Sequence, residues 1–386
     1  MKQLVVTAII GLLSFMIGLS FQSGSSQEID MTRLQNIPIQ DYDPVPMLKT
    51  EVTEIKRARY GVVDVHNHLR RAQTAADVHE IIRAMDATNV SAVVNLDGGL
   101  GDELKRNIDR MNKRYPGRFI QFMRIDWSRI DEPGFGELMA AELEAGYKMG
   151  ARGLKISKRL GLNVRDRSGQ LVPIDDPRLD PIWAKCGELR IPVAIHIADP
   201  AAFFTPLDEK NERLIELMDH PAWSFYGPEF PEREELHAQR NRVIERHPGT
   251  NFIGLHIANN SEDLKTVAEW LDRYPNLYVE TGARLSELGR QPYTSRRFFI
   301  HYQDRVLFGT DTTPLPGVKL AKDGVEMYRL HWRFLESDDE YFDVSKTHHR
   351  QALWRVYGIY LPPDVLEKLY RGNASRLIPG LELPGQ

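Results

Sequence analysis

Residues able to hold a metal ion stand at two places far apart in the chain. Val62-Val63-Asp64-Val65-His66-Asn67-His68 ends in two histidines one residue apart, and Arg305-Val306-Leu307-Phe308-Gly309-Thr310-Asp311 ends in a carboxylate. On a β-strand, side chains two apart project to the same side, so the His66 and His68 imidazoles can bind one cation. Nitrogen and carboxylate ligands without a thiolate suit Zn²⁺, Mn²⁺ or Fe²⁺. Other short apolar runs end in Lys155, His196 and His256. In a chain with 12 histidines, four of them at equivalent run ends is a pattern rather than scatter.

The elements that must position these residues are the runs themselves: 62–68, 91–97, 119–126, 151–156, 191–197, 251–257, 277–282 and 306–311. Most are separated by amphipathic stretches such as 102–114 and 262–274, which predicts a parallel sheet with crossover helices. Eight such units fit a closed (β/α)8 TIM barrel with an N-terminal extended arm and C-terminal helices. An open doubly wound sheet is the alternative, but no Gly-x-Gly-x-x-Gly follows the first run. A barrel places its chemistry at the C-terminal ends of the strands, and His66, His68, Lys155, His196, His256 and Asp311 all fall there.

Composition narrows the function. With 386 residues, 42% of them hydrophobic, and a net charge of -4, the chain can bury a large core. Interspersed charges and a pI near 6.3 argue against a nucleic-acid partner. The one cysteine, Cys186, excludes an intramolecular disulfide; on a predicted helix over 180–189 it reads as a buried structural thiol. Residues 1–26, with a basic Met1-Lys2, an apolar run and the small residues Ser23 and Ser25, read as a secretory signal. A retained membrane anchor is the alternative. The mature protein is then expected to be secreted or periplasmic, with no membrane span after cleavage and a small molecule as its partner; a homodimer is compatible with the sequence. Residues 27–59, with prolines at 38, 44 and 46, predict an arm laid over the barrel, residues 60–378 the barrel, and 379–386 a tail.

The Asp-x-His-x-His of Asp64 to His68, the lone His196 and His256, and Gly309-Thr310-Asp311 resemble the amidohydrolase superfamily. Gly153-Leu154-Lys155-Ile156 and Gly372-Asn373-Ala374-Ser375-Arg376-Leu377 resemble the branch that includes aminocarboxymuconate semialdehyde decarboxylase and related lactonases. The resemblance runs from Tyr60 to Ile378. It implies that His66, His68, His196 and Asp311 hold one divalent metal, zinc before manganese or iron, and that His256 stands beside it as an acid/base or oxyanion-polarising group. A metal can lower the pKa of bound water from about 15.7 to about 7, and Asp311 can take the proton. In binuclear members a carboxylated lysine at the position of Lys155 bridges two metals, and that second metal stays open here. Alternatively Lys155, with Lys158 and Arg159, forms an anion-binding edge, of which Lys158 and Arg159 are expected to be solvated.

Arg70, Arg71 and Arg284 follow strand tips and could grip a substrate carboxylate. Asp126-Trp127 could offer a stacking wall, and Asp64 is read as structural, turned away from the ligands. The insertion 199–234, rich in aromatics, predicts a lid or pocket wall. His220 and His237 are expected to be surface or capping groups, as are His348 and His349 in the C-terminal helical region. The function expected is a secreted metal-dependent hydrolase that activates a metal-bound water to cleave an amide, lactone or ester of a carboxylate-bearing substrate. Metal-dependent non-oxidative decarboxylation of an unsaturated or aromatic acid is the first alternative, and a non-catalytic binding protein on a decayed barrel the second.

Overall fold

The structure is a computed structural model that describes residues 30–312, 324–345 and 351–381. The expected signal segment 1–26 and the His348-His349 pair lie outside them. Residues 30–44 belong to a small unit of their own. It holds the helix Met31–Gln35, whose first turn is capped by Asp30 accepting the Arg33 N–H at 2.9 Å, and a 3-10 turn Ile39–Asp41. The larger unit begins at Val45. Its first residues, 45–59, carry no helix or strand and are tied to the barrel by polar bonds. Thr53 donates from its N–H and its hydroxyl to Asp339 (2.7 and 2.6 Å), and Asn89 donates to the Ala58 carbonyl at 2.9 Å.

Eight strands follow: β1 Val62–Asn67, β2 Val90–Asn95, β3 Phe119–Arg124, β4 Gly153–Ile156, β5 Val193–Ile195, β6 Phe252–Gly254, β7 Leu277–Glu280 and β8 Val306–Leu307. They pair in chain order and all in parallel. Their residues are apolar on both faces because one face lies under helices and the other fills the barrel. Val63, Val65, Val94, Phe122, Ala194 and Leu307 form the inner cluster, completed by Leu377 and Ile378 from the C-terminal turns. The opposite faces, with Val62, Val93, Met123, Leu154 and Val193, join the core under the helices. The protein is thus a (β/α)8 TIM barrel. Cys186, on the helix Asp180–Glu188, is fully buried in that core, and burial pushes its thiol pKa up.

Closure of the barrel brings the two ends of the chain together. Val65 N–H donates to the Phe308 carbonyl (2.9 Å), Asp311 N–H to the His66 carbonyl (2.8 Å), and His68 N–H to the Thr312 carbonyl (2.9 Å). The segment after β5 is a wall built of the 3-10 turns Ala201–Phe204 and Pro221–Trp223 and the short helix Leu214–Asp219, with Phe225 packed between Phe204 and Phe230 at 5.5 and 5.3 Å. Among the described residues, no helix is long and apolar enough to cross a membrane.

Candidate metal centre

The bonds that close the barrel also assemble the donor cluster. Because β1 and the chain after β8 are laced together at His66, His68, Asp311 and Thr312, the His-x-His and the aspartate meet. Asp311 Oδ1 lies 2.9 Å from His66 Nε2 and 3.1 Å from His68 Nε2. Asp311 itself sits in the left-handed region, with φ 62°, a conformation that costs a residue with a Cβ about 1–2 kcal/mol and is held here by its N–H bond to His66.

This cluster fits a divalent cation. His66 Nε2 is buried and makes no hydrogen bond, although the carboxylate oxygen is close; the two atoms sit side by side rather than aimed at one another. Donors each about 2.1 Å from a cation and at right angles are about 3.0 Å apart, the spacing observed. The far nitrogens are engaged, which fixes the tautomers. His66 Nδ1 meets Glu280 Oε1 at 3.0 Å and His68 Nδ1 meets Asp97 Oδ2 at 3.0 Å, leaving both Nε2 atoms to the cation. Without metal, burial opposes a charged His66, but Asp311 and Glu280 outweigh it and raise the pKa to about 9. A second convergence, His66, His256 and Glu280, is a supporting network instead. Glu280 accepts from His66 Nδ1, from His256 N–H at 2.6 Å and from Gly282 N–H at 2.6 Å. Glycines make room for it: a Cβ on Gly282 would stand 2.8 Å from Glu280 Oε2 and 2.9 Å from His66 Nδ1, and one on Gly309 would collide with Glu280 Oε2.

His196 and His256 take different places. His256 Nδ1 lies 2.8 Å from the Gly282 carbonyl, so it carries the proton, and its Nε2 keeps a buried lone pair 3.8 Å from Asp311 Oδ2. Burial, then Arg284 and His196, holds its pKa well below the usual histidine value, so the ring is neutral. His196 Nε2 turns to Asp199 Oδ1 at 3.3 Å, which leaves the lone pair on Nδ1. Burial lowers its pKa to about 4 against the pull of Asp199. Its ring stands 4.4 Å from that of His256; among the described residues it is not in the His66–His68–Asp311 group of converging atoms. Lys155, 4% exposed, has no hydrogen bond at Nζ. Burial lowers its pKa to about 8 although Asp311, Glu280 and Asp97 attract the ammonium.

A cavity of about 170 Å³ opens beside the cluster, lined by His196, His256, Asp311, Arg284, Phe203 and Trp223 among others. Arg284 is buried; it donates to the Ala283 carbonyl at 2.8 Å, and among the described residues no carboxylate lies within ion-pair distance. Arg213 and Lys158 also line the cavity, but Arg213 is paired with Glu216 (2.6 Å) and Glu287, and Lys158 with Asp199. Lys158 is therefore not the solvated residue expected: the walls of the insertion enclose it, its ammonium 5.8 and 5.1 Å from the Trp223 and Phe225 ring centres. Arg159 is exposed, as expected. Arg70 and Arg71 are exposed, and neither they nor Lys155 line the cavity.

Asp126 caps the turn Trp127–Arg129 and Trp127 packs on Phe135 at 6.0 Å, outside the cavity lining. Asp64 accepts from Thr310 Oγ1 (2.6 Å), Tyr328 OH (2.9 Å) and the N–H groups of His66 and Thr310 (both 3.1 Å), the bonds of a structural carboxylate. Strand alternation would set it on the side of His66 and His68; the β1–β2 register shifts between Asp64 and Asn67. His220 stacks on Trp223 at 4.1 Å. His237 is not a surface group: it is 6% exposed, edge-on to Trp270 at 5.0 Å, and burial lowers its pKa to about 2. Sequence reasoning missed Glu280, Asp97 and Asp199 as partners of the histidines. All three stand at or just past strand tips, in the same tier as the histidines, and that was the available signal.

Comparison with known proteins places this site in a family. The family model described as amidohydrolase matches residues 63–380. Comparison with curated proteins gives no match. Among solved structures, an uncharacterised TIM-barrel protein from Bordetella bronchiseptica is 17% identical with a TM-score of 0.51, covering 82% of this chain and 97% of the other. The 2,6-dihydroxybenzoate decarboxylase from Rhizobium is 16% identical, with a TM-score of 0.51 over 82% and 98% of the two chains. A dihydroxybenzoic acid decarboxylase from Polaromonas sp. JS666, crystallised with manganese and 2-nitroresorcinol, is also 16% identical, with a TM-score of 0.50 over 82% and 96%. At such identities the likeness is one of fold. The family match spans the barrel from β1 to the C-terminal turns and takes in every residue of the donor cluster: the chain belongs to the amidohydrolase family.

Proposed function

We propose that the protein is a secreted, metal-dependent hydrolase that cleaves an amide, lactone or ester bond of a small carboxylate-bearing substrate. The observation that carries this reading is the double position of Asp311. One oxygen sits among the imidazole nitrogens of the donor cluster, and the other faces the neutral His256 Nε2 at 3.8 Å, at the cavity. His66, His68 and Asp311, with His196 as the fourth ligand, would hold a divalent cation, which would supply Lewis-acid polarisation and lower the pKa of a water toward neutrality. Burial opposes the Asp311 carboxylate, but His66 and His68 outweigh it and hold its pKa well below the usual range, so it is ionised and can accept a proton from attacking water. His256 presents a lone pair rather than an N–H, so in the resting site it accepts a proton and can return it to the leaving group. Arg284, a buried cation with no carboxylate in ion-pair range among the described residues, is placed to hold the substrate anion.

Decarboxylation of an unsaturated or aromatic acid is the second reading, and Phe203 and Trp223 in the cavity wall beside Arg284 favour it. The test is a substrate panel assayed for acid or amine release and for carbon dioxide, before and after chelation and metal restoration. Turnover indifferent to chelation would refute both readings, and a metal-loaded protein that turns over no member of the panel would be a binding protein. Elemental analysis should give about one metal per chain; two equivalents with added mass on Lys155 would replace the mononuclear site with a carbamate-bridged one. Export is tested by fusing residues 1–27 to a reporter, which should cross the cytoplasmic membrane; a cytoplasmic reporter would refute secretion.

A further inference from the structure

Directly after β6 the backbone does something L-residues avoid. His256, Ile257, Ala258 and Asn259 have φ of 58°, 55°, 52° and 56°, four successive left-handed residues, none of them glycine and one β-branched. In that region Cβ crowds the following carbonyl oxygen, so isolated occurrences are uncommon and runs more so. Such a turn persists only where its surroundings over-determine it.

The helix Arg233–Arg246 supplies those surroundings. Arg233, His237 and Arg240 are spaced four and three residues apart, which sets them on one helix face, and all three are buried, Arg240 completely. They meet the carbonyls of the turn. Arg240 Nη1 donates to the Ala258 carbonyl at 2.6 Å, Arg233 Nη2 to the Asn259 carbonyl at 2.6 Å, and His237 Nε2 lies 3.3 Å from the same oxygen. Arg240 has no carboxylate in ion-pair range among the described residues. Its other donors go to Asn241 Oδ1 (3.1 and 2.8 Å), and its plane lies 4.3 Å from the Trp270 ring centre. A guanidinium buried without an anion is costly unless its donors find acceptors, and Arg240 commits one to the turn and two to Asn241. On the opposite side, Asn259 donates to the Ala198 carbonyl at 2.6 Å and accepts from Ile197 N–H at 3.2 Å, while Arg233 Nε donates to the Asp199 carbonyl at 3.1 Å. Those residues flank His196.

We propose that Arg240 and Arg233 are positioning residues, a clamp that imposes the left-handed turn and thereby aims His256 into the site while fixing the loop that carries His196 and Asp199. Neither arginine lines the cavity, so they act through the turn and not on substrate.

The test uses the full-length protein and four variants: Arg240→Met, Arg240→Lys, Ala258→Gly and the double variant Arg240→Met/Ala258→Gly. Amide exchange of residues 255–260 is measured on metal-free protein, and zinc affinity by competition with a chelator. Arg240→Met should speed exchange of 255–260 by roughly tenfold or more and weaken zinc by a similar factor, the loss typical when a supporting residue is removed. Exchange in β2 and β3 should stay as in the native protein. Arg240→Lys, which keeps a cationic donor, should fall between, and it serves if the methionine variant does not fold. Glycine enters the left-handed region without penalty, so Ala258→Gly should return the double variant to within about threefold of native in both measurements. That rescue separates a clamp from mere packing. The proposal is overturned if Arg240→Met and Arg240→Lys leave exchange of 255–260 unchanged, if exchange rises equally in β2 and β3, or if glycine gives no rescue. A native protein that takes up no zinc counts against the metal reading, and exchange alone then decides the clamp.

Discussion

Glu280→Gln is the most discriminating single change. The carboxylate is fully buried and satisfies three N–H groups: Oε1 takes His66 Nδ1–H and His256 N–H, and Oε2 takes Gly282 N–H. Glutamine has the same shape but only one oxygen. In its better orientation it keeps the two bonds at Oε1 and turns an NH₂ toward the Gly282 N–H, leaving one buried donor unpaired and two donors opposed. That costs about 1–3 kcal/mol of stability. The His66 imidazole also loses the negative partner that makes it a better ligand. Glu280 is one of two carboxylates that raise the His66 pKa to about 9, so its removal eases proton loss as well, and the two effects oppose each other. Loss of an outer carboxylate usually weakens metal binding by about 10–100-fold, or about 1.4–2.7 kcal/mol, so the basicity term should win. Zinc affinity by chelator competition, with melting curves of metal-free and metal-loaded protein, measures both. A variant that melts below the native protein yet binds zinc within about twofold of it would refute the role assigned to Glu280 at His66 and leave it a purely structural acceptor.

His196→Ala should lose metal and turnover together, whereas His256→Asn should keep the metal and lower turnover by about 10²–10⁴-fold; equal loss of metal in both, read by elemental analysis, would make His256 a ligand. Zinc binding should release close to one proton at pH 7.5, because a cation displaces the His66 proton held with a pKa of about 9. Affinity should therefore rise about tenfold per pH unit up to about pH 9 and then level, a slope that titration calorimetry in buffers of different ionisation enthalpy will show or deny. Gly309→Ala drives a methyl into Glu280 Oε2 and within 3.0 Å of His66 Cβ; stability should fall by about 1–3 kcal/mol and zinc affinity with it, and a native melting curve would show that the cradle can give way.

What the sequence revealed and what it hid follow from the same geometry. The strands were legible because a barrel buries both faces of each, and the apolar runs say so without reference to any partner. The placing of His66, His68, His196 and His256 at strand ends was legible because a rare residue type recurring at one structural position needs no tertiary information. Glu280 and Asp97 carried the same positional signal, but a carboxylate at a strand end is common, and only barrel closure sets one behind each histidine. His237 was misread because the helix Arg233–Arg246 looks like a solvated one, with charges at half its positions. Its buried face is polar for a reason no periodicity announces: it meets backbone carbonyls of a turn, not apolar side chains. The turn was hidden too, since Leu255-His256-Ile257-Ala258 offers no glycine and puts a β-branched residue in a left-handed position. Local preference and tertiary structure disagree there by about 1–2 kcal/mol per residue, and the surplus is carried by two buried guanidinium groups. Such disagreements gather at functional sites. This one lies at His256, the residue proposed to move a proton beside the metal.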